Sequence, residues 1–120
     1  MRRFSKTDKI SDLLRHAISN ALLFELHVEK LKWISVTEVR VNRDAKIADV
    51  FYTVIESQVG KEEAADLLAE HLNELKKYLA GNLRLRQLPV LRFKPDDVEE
   101  KAQEIEKLLL QISKGKTDGE

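Results

Sequence analysis

Residues 76–94 read KKYLAGNLRLRQLPVLRFK, and the parsing of this stretch decides the fold. Its first half continues a helical pattern that stops at Gly81-Asn82, a pair suited to a helix C-cap. Leu88–Phe93 (LPVLRF) then reads as a short third strand. Pro89 cannot donate to a sheet ladder, so this strand lies at an edge or begins there, and Pro95 ends it. The stretch also carries Lys76, Lys77, Arg84, Arg86, Arg92 and Lys94 without one Asp or Glu. On either side the sign reverses. Residues 56–74 hold six acids against Lys61, and residues 95–106 hold six against Lys101. A chain of formal net charge +0 therefore segregates its charge, and a basic block interleaved with apolar residues is the pattern of a polyanion-binding face. The plainer reading is that Arg and Lys stems cover apolar surface with their heads in water.

Immediately upstream, Ala65, Leu68, Leu72, Leu75 and Leu79 recur by threes and fours, so a helix, whole or broken, follows the Gln58-Val59-Gly60 break. Before it lie two strands. Trp33–Val41 (WISVTEVRV) is rich in β-branched residues, but Ile34 and Val36 share one parity and Val39 and Val41 the other, which predicts a bulge near Thr37–Glu38 or a strand buried on both faces. Ile47–Ile55 (IADVFYTVI) is apolar enough to be central. Asn42-Arg43-Asp44 supplies the turn of an antiparallel pair. Further back, Ile10, Leu13, Leu14, Ala17, Ile18, Ala21 and Leu22 make one helical stripe, with Ser5 or Thr7 as cap and Asp8 at the positive end of the dipole. A short arm, residues 1–6, carries Arg2, Arg3 and Lys6.

Downstream, Asp96 or Asp97 opens a last helix on Val98, Ala102, Ile105, Leu109 and Ile112, with Asp97 and Glu100 spaced as a capping box. Residues 114–120 are polar, contain two glycines and are expected to be a disordered tail. The order helix, strand, strand, helix, strand, helix packs most economically as one α+β domain over residues 1–113, a small sheet with helices on one face.

At 120 residues, 42% apolar and 35% charged, the chain suits a single soluble domain with its own core. The absence of cysteine excludes disulfides and thiolate chemistry, and it agrees with a reducing compartment. No signal-peptide core and no run of about 18 apolar residues is present, so an intracellular protein with no membrane association is expected. His16, His27 and His71 stand in distant segments, without metal-pair or catalytic spacing. Asp96-Asp97 and Glu99-Glu100 serve a helix start before any acid–base role, although a hydrolase using Asp96 and Asp97 is a remote third reading. No phosphate-cradling glycine loop or nucleophile elbow occurs. The expectation is a non-enzyme with no cofactor, no metal and no small-molecule substrate. Of the aromatic residues Trp33, Phe51, Tyr52 and Phe93, most read as core, with Tyr52 the candidate to face outward.

Three segments, TDKISDLLRHAISNAL, VTEVRVNRDAKIADVFYTV and LRLRQLPVLRFKPDD, resemble in order and spacing the bacterial ribosome-binding factor A family. The resemblance rests on Val36, Thr37 and Val39, on Asp44, on Ala48 and Val50, and most specifically on Leu85, Arg86, Pro89, Leu91 and Phe93 followed by Asp96 or Asp97. It implies a type II KH-like domain of order αββααβ with a three-stranded sheet, plus a C-terminal helix. It further implies a cytoplasmic, monomeric, non-catalytic factor that binds the small ribosomal subunit and its rRNA in late maturation, with 16S rRNA processing and cold adaptation. One departure is His71-Leu72-Asn73, where the family carries an Ala-x-Gly helix kink.

The residues expected to neutralise phosphates are Arg2, Arg3, Lys6, Lys9 and Arg15 from the arm and first helix, and Lys76, Lys77, Arg84, Arg86 and Arg92 from the basic block. The rival reading is a protein-interaction module pairing through the amphipathic C-terminal helix, and burial of that helix within the monomer decides between them.

Overall fold

The structure, a computed structural model, describes residues 6–96, 106 and 108–112. Helix α1 spans Lys6–Asn20 with Asp8 in its first turn. Thr7 lies inside that turn, and Ser5 is outside the described residues. Leu14, Ile18, Ala21 and Leu22 are buried as the stripe requires, whereas Leu13 is exposed at its margin. The helix widens into a π turn at Ala21–Glu25, closed by Leu26 N–H donating to the Ala21 carbonyl at 3.0 Å. A 3₁₀ turn, Glu29–Trp33, then inserts Leu31 fully into the core.

Strand β1 is Ile34–Val41 and β2 is Ile47–Val54, paired antiparallel. Their register shifts between Val36 and Glu38, the bulge that the parity change foretold. Because of it Ile34, Val36 and Val39 all face inward, while Ser35, Glu38 and Arg40 face out. Strand β3 is Val90–Pro95 and runs parallel to β2, so the sheet order is β1-β2-β3 with β2 central. The third strand starts two residues later than expected, because Pro89 is buried ahead of it, and Pro95 is its last residue instead of its terminator.

The parallel return from β2 to β3 needs a crossover, supplied by α2 (Lys61–Glu70) and α3 (Leu72–Asn82). Their common helix is interrupted at His71, whose φ of −99° and ψ of 11° leave helical geometry. Hydrogen bonds from His71 N–H to the Leu67 carbonyl and from Leu75 N–H to the His71 carbonyl, both 3.0 Å, hold the joint. The buried positions are Ala64, Leu68, Leu75 and Leu79; Ala65, expected on this stripe, is exposed one step round the helix. Gly81 has no positive φ and is not a left-handed cap. The helix runs through it and ends where Leu83 turns extended, with Asn82 Nδ2 donating to the Tyr78 carbonyl at 2.7 Å.

Helices α1, α2 and α3 lie against one face of the sheet. Ile34, Val36, Val39, Ala48, Val50, Tyr52 and Leu91 are buried beneath them, and the opposite face carries Arg40, Asp49, Phe51, Arg92 and Lys94. The tail at 114–120, the predicted capping pair Asp97 and Glu100, and Val98, Ala102 and Ile105 lie outside the described residues. Residues 108–112 are helical, with Leu108, Leu109, Leu110 and Ile112 all more than half exposed.

Candidate nucleic-acid interface

Residues 83–88 (LRLRQL) leave α3 extended and alternate like a strand. Leu83, Leu85 and Leu88 pack against the core, which turns Arg84 and Arg86 outward together. The loop ends at Val90, whose N–H donates to the Lys46 carbonyl at 2.8 Å, so the β1–β2 turn is fastened beside it. Asn42 organises that turn. Its Oδ1 accepts from Lys46 N–H at 2.9 Å and Ile47 N–H at 2.8 Å, and Ala45 takes a left-handed φ of 58°. The start of α1 closes the third side. The result is a groove lined by Lys6, Ile10, Asp44, Lys46, Arg84 and Arg86, with Ala45, Leu85 and Gln87 between them.

Four cations therefore converge from three separate elements, against the single carboxylate of Asp44. Among the described residues none of the four makes an ion pair. Exposed cations held close together without counter-charges raise the local potential for a polyanion.

The remaining expected contacts separate. Lys9 is exposed on the outer face of α1, and Lys76 and Lys77 on α3. Arg15 lies on the other flank of α1, in a cleft against β1 that also contains Asp8, Asp12 and Glu38, and it sits 3.9 Å from Asp12. Arg92 projects from the open sheet face, where Nε donates to Asp49 at 2.8 Å; Lys94 Nζ lies 3.4 Å from the other oxygen of the same carboxylate. The bond to Arg92 is the leading cause holding the Asp49 carboxyl below its ordinary pKa and raising that of Arg92. The block at 76–94 is thus three surfaces, one of them partly neutralised by Asp49. Arg2 and Arg3 lie outside the described residues.

Lys46 is a groove residue that sequence reasoning misses. It stands 30 residues before the basic block begins at Lys76, and only the antiparallel pairing brings its turn beside Arg84 and Arg86. The available signal is the turn itself: NRDAK carries two cations at the sheet end that receives the loop before β3.

The rings take different places from those expected. Tyr52 is buried, which pushes its phenol pKa up, and meets Phe93 edge-on at 6.4 Å. The strand ring that faces outward is Phe51, half-buried under the Arg40 guanidinium at 5.4 Å, and Trp33, just before β1, is exposed. No cluster of three His, Cys, Asp or Glu that could hold a metal occurs among the described residues. Asp96, the remote catalytic candidate, accepts from Thr37 Oγ1 at 2.5 Å, an anchoring bond between β1 and the end of β3. Among the described residues no helix is long and apolar enough to cross a membrane.

The fold and groove define a small α+β domain of KH-like order with a locally cationic end. A family model described as "Ribosome-binding factor A" matches residues 6–109, and the chain belongs to the ribosome-binding factor A family. The ribosome-binding factor A of Thermosipho melanesiensis is 36% identical over 112 residues, covering 91% of this chain and 90% of that protein. That of Marinomonas sp. is 35% identical over 100 residues, covering 78% and 74%. The crystal structure of ribosome-binding factor A from Thermus thermophilus superposes with a TM-score of 0.66 at 24% identity over 76% of this chain and 97% of that one, a likeness of fold. A Thermus thermophilus homology model fitted into a cryo-EM map of a 30S complex gives a TM-score of 0.59 at 26% identity, covering 72% and 90%.

Proposed function

We propose that this protein is a cytoplasmic, monomeric assembly factor that binds the small ribosomal subunit and its rRNA late in maturation. It supports 16S rRNA processing, cold growth included, without catalysing a reaction. Membership of the ribosome-binding factor A family over residues 6–109 carries this reading. The related Thermus thermophilus protein, fitted into a 30S complex, supports the partner, and the unpaired cations around Arg84 and Arg86 supply a physical means of engaging rRNA phosphates. Preferential binding to one form of the pre-subunit shifts its folding by mass action, which requires no active site. Co-sedimentation with purified small subunits across a salt series tests it. Wild type should bind with log affinity falling steeply against log salt, and Arg84→Glu/Arg86→Glu should bind weakly with a shallower slope. Failure of wild type to bind at low salt overturns the proposal.

One observation favours a second reading. Leu108, Leu109, Leu110 and Ile112 are each between 56 and 61% exposed, so the described part of the C-terminal stripe is not covered by the domain's own sheet. A partner helix seated on this stripe would make the protein an interaction module, and truncation after residue 96 would then abolish subunit binding while leaving Arg84→Glu/Arg86→Glu without effect.

A further inference from the structure

Resting on that reading, we infer that the groove between the start of α1, the β1–β2 turn and the 83–88 loop binds the phosphate backbone of base-paired RNA and discriminates against single strands. Two features carry this. The first is the rigidity of the cation array. Arg84 and Arg86 flank the core-packed Leu85, Lys46 is held by Asn42 and through the Val90 bond, and Lys6 sits at a helix start. Cations set on a backbone held by the packing of Leu85 and the bonds at Lys46 suit a phosphate lattice that is already regular, as in A-form RNA. A flexible strand must be ordered before it can match the array, and the entropy of ordering counts against it.

The second is the absence of stacking surface among the described residues of the groove. Proteins that hold single strands supplement a basic groove with exposed rings on which successive bases stack, each contributing about 1–3 kcal/mol. Among the described residues no ring lines this groove. Tyr52 and Phe93 belong to the core side of the sheet, and Phe51 lies on its open face beneath Arg40. Trp33 precedes β1, at the far end of that strand from the turn, and Phe24 follows α1, at the far end of that helix from Lys6. Among the described residues the groove thus offers charge and shape without a base platform, the combination by which helical RNA is recognised.

The test is fluorescence anisotropy of the full chain with a labelled RNA duplex of about 16 base pairs and with either of its strands alone, over a salt series. The duplex should bind at least about tenfold tighter, with a log–log salt slope near 3, as expected for four cations at roughly 0.7–0.9 each. Lys46→Glu/Arg84→Glu should lose about tenfold or more and reduce the slope by about 2, with its circular dichroism unchanged. Lys32→Glu, the same charge change per residue on the 3₁₀ turn at the opposite end of β1, should bind the duplex as wild type does. Equal or tighter binding of the single strand overturns the inference, as does a Lys46→Glu/Arg84→Glu variant that binds normally or a wild type that binds neither RNA. Co-sedimentation with small subunits separates this from the proposed function: subunit binding without duplex binding sinks only the groove assignment, and duplex binding without subunit binding sinks only the assembly reading.

Discussion

Val90 N–H and the Lys46 carbonyl, 2.8 Å apart, join the first residue of β3 to the turn that separates β1 from β2. This bond puts a turn and a loop, far apart in sequence, at one end of the sheet, and the cationic groove is its consequence. The turn depends on Asn42, whose side-chain oxygen accepts two backbone N–H groups. Asn42→Ala should therefore cost about 1–2 kcal/mol, at about 1 kcal/mol or less for each exposed bond. It should also weaken duplex RNA binding severalfold, although Asn42 carries no charge. Asn42→Asp keeps an acceptor and should restore most of the stability, which a paired thermal melt would reveal.

Asp44 is the one carboxylate among the groove residues. Its removal acts in the opposite direction to every other charge change there. Asp44→Asn should raise affinity for RNA about two- to fivefold at low salt, with the gain shrinking as ionic strength rises and screening shortens. An anisotropy titration at two salt concentrations reads this directly, and a loss of affinity would mean that Asp44 contacts RNA itself.

Asp49 works on the other face. Its carboxyl is held below the ordinary carboxylate pKa, chiefly by the hydrogen bond from Arg92, then by the charges of Arg92 and Lys94. A lowered folded pKa means that the contribution is fully present above the unfolded value of about 3.9 and drains away as pH falls through the folded one. Asp49→Asn should melt below wild type at pH 7, and the two curves should converge from about pH 4 downward. The same substitution releases Arg92 and Lys94 from their shared counter-charge, so non-specific RNA binding at pH 7 should rise.

Much of the fold was legible because local chemistry and global packing agreed. The parity slip between Val36 and Val39 announced the bulge, and the apolar run at 47–55 announced the central strand. Where the reading failed, a neighbour outside the window decided. Pro89 is buried and delays β3, and Tyr52 points inward because the bulge and β3 register set the face of β2. The basic block was legible as charge but not as surface. A run that passes from helix to loop to strand turns its cations to three sides, and Asp49, 43 residues before Arg92, partly quenches one of them. Lys46 could not be joined to Arg84 without the sheet register.

The helical layer has its own polar tie. Asn20 Nδ2 donates to Tyr78 Oη at 2.8 Å, linking the last residue of α1 to α3 over 58 positions of sequence. Both groups are partly buried, so removing one leaves the other short of a partner in a place where water reaches poorly. Tyr78→Phe keeps the ring and its packing and should cost about 0.5–1.5 kcal/mol. Asn20→Ala should cost a similar amount, and the double variant less than the sum, because each single change already breaks the same bond. Chemical denaturation of the four proteins closes that cycle. Additive losses would show that the bond contributes nothing and that α1 and α3 are held by Leu14, Ile18, Leu75 and Leu79 alone, all of them buried between the helices and the sheet.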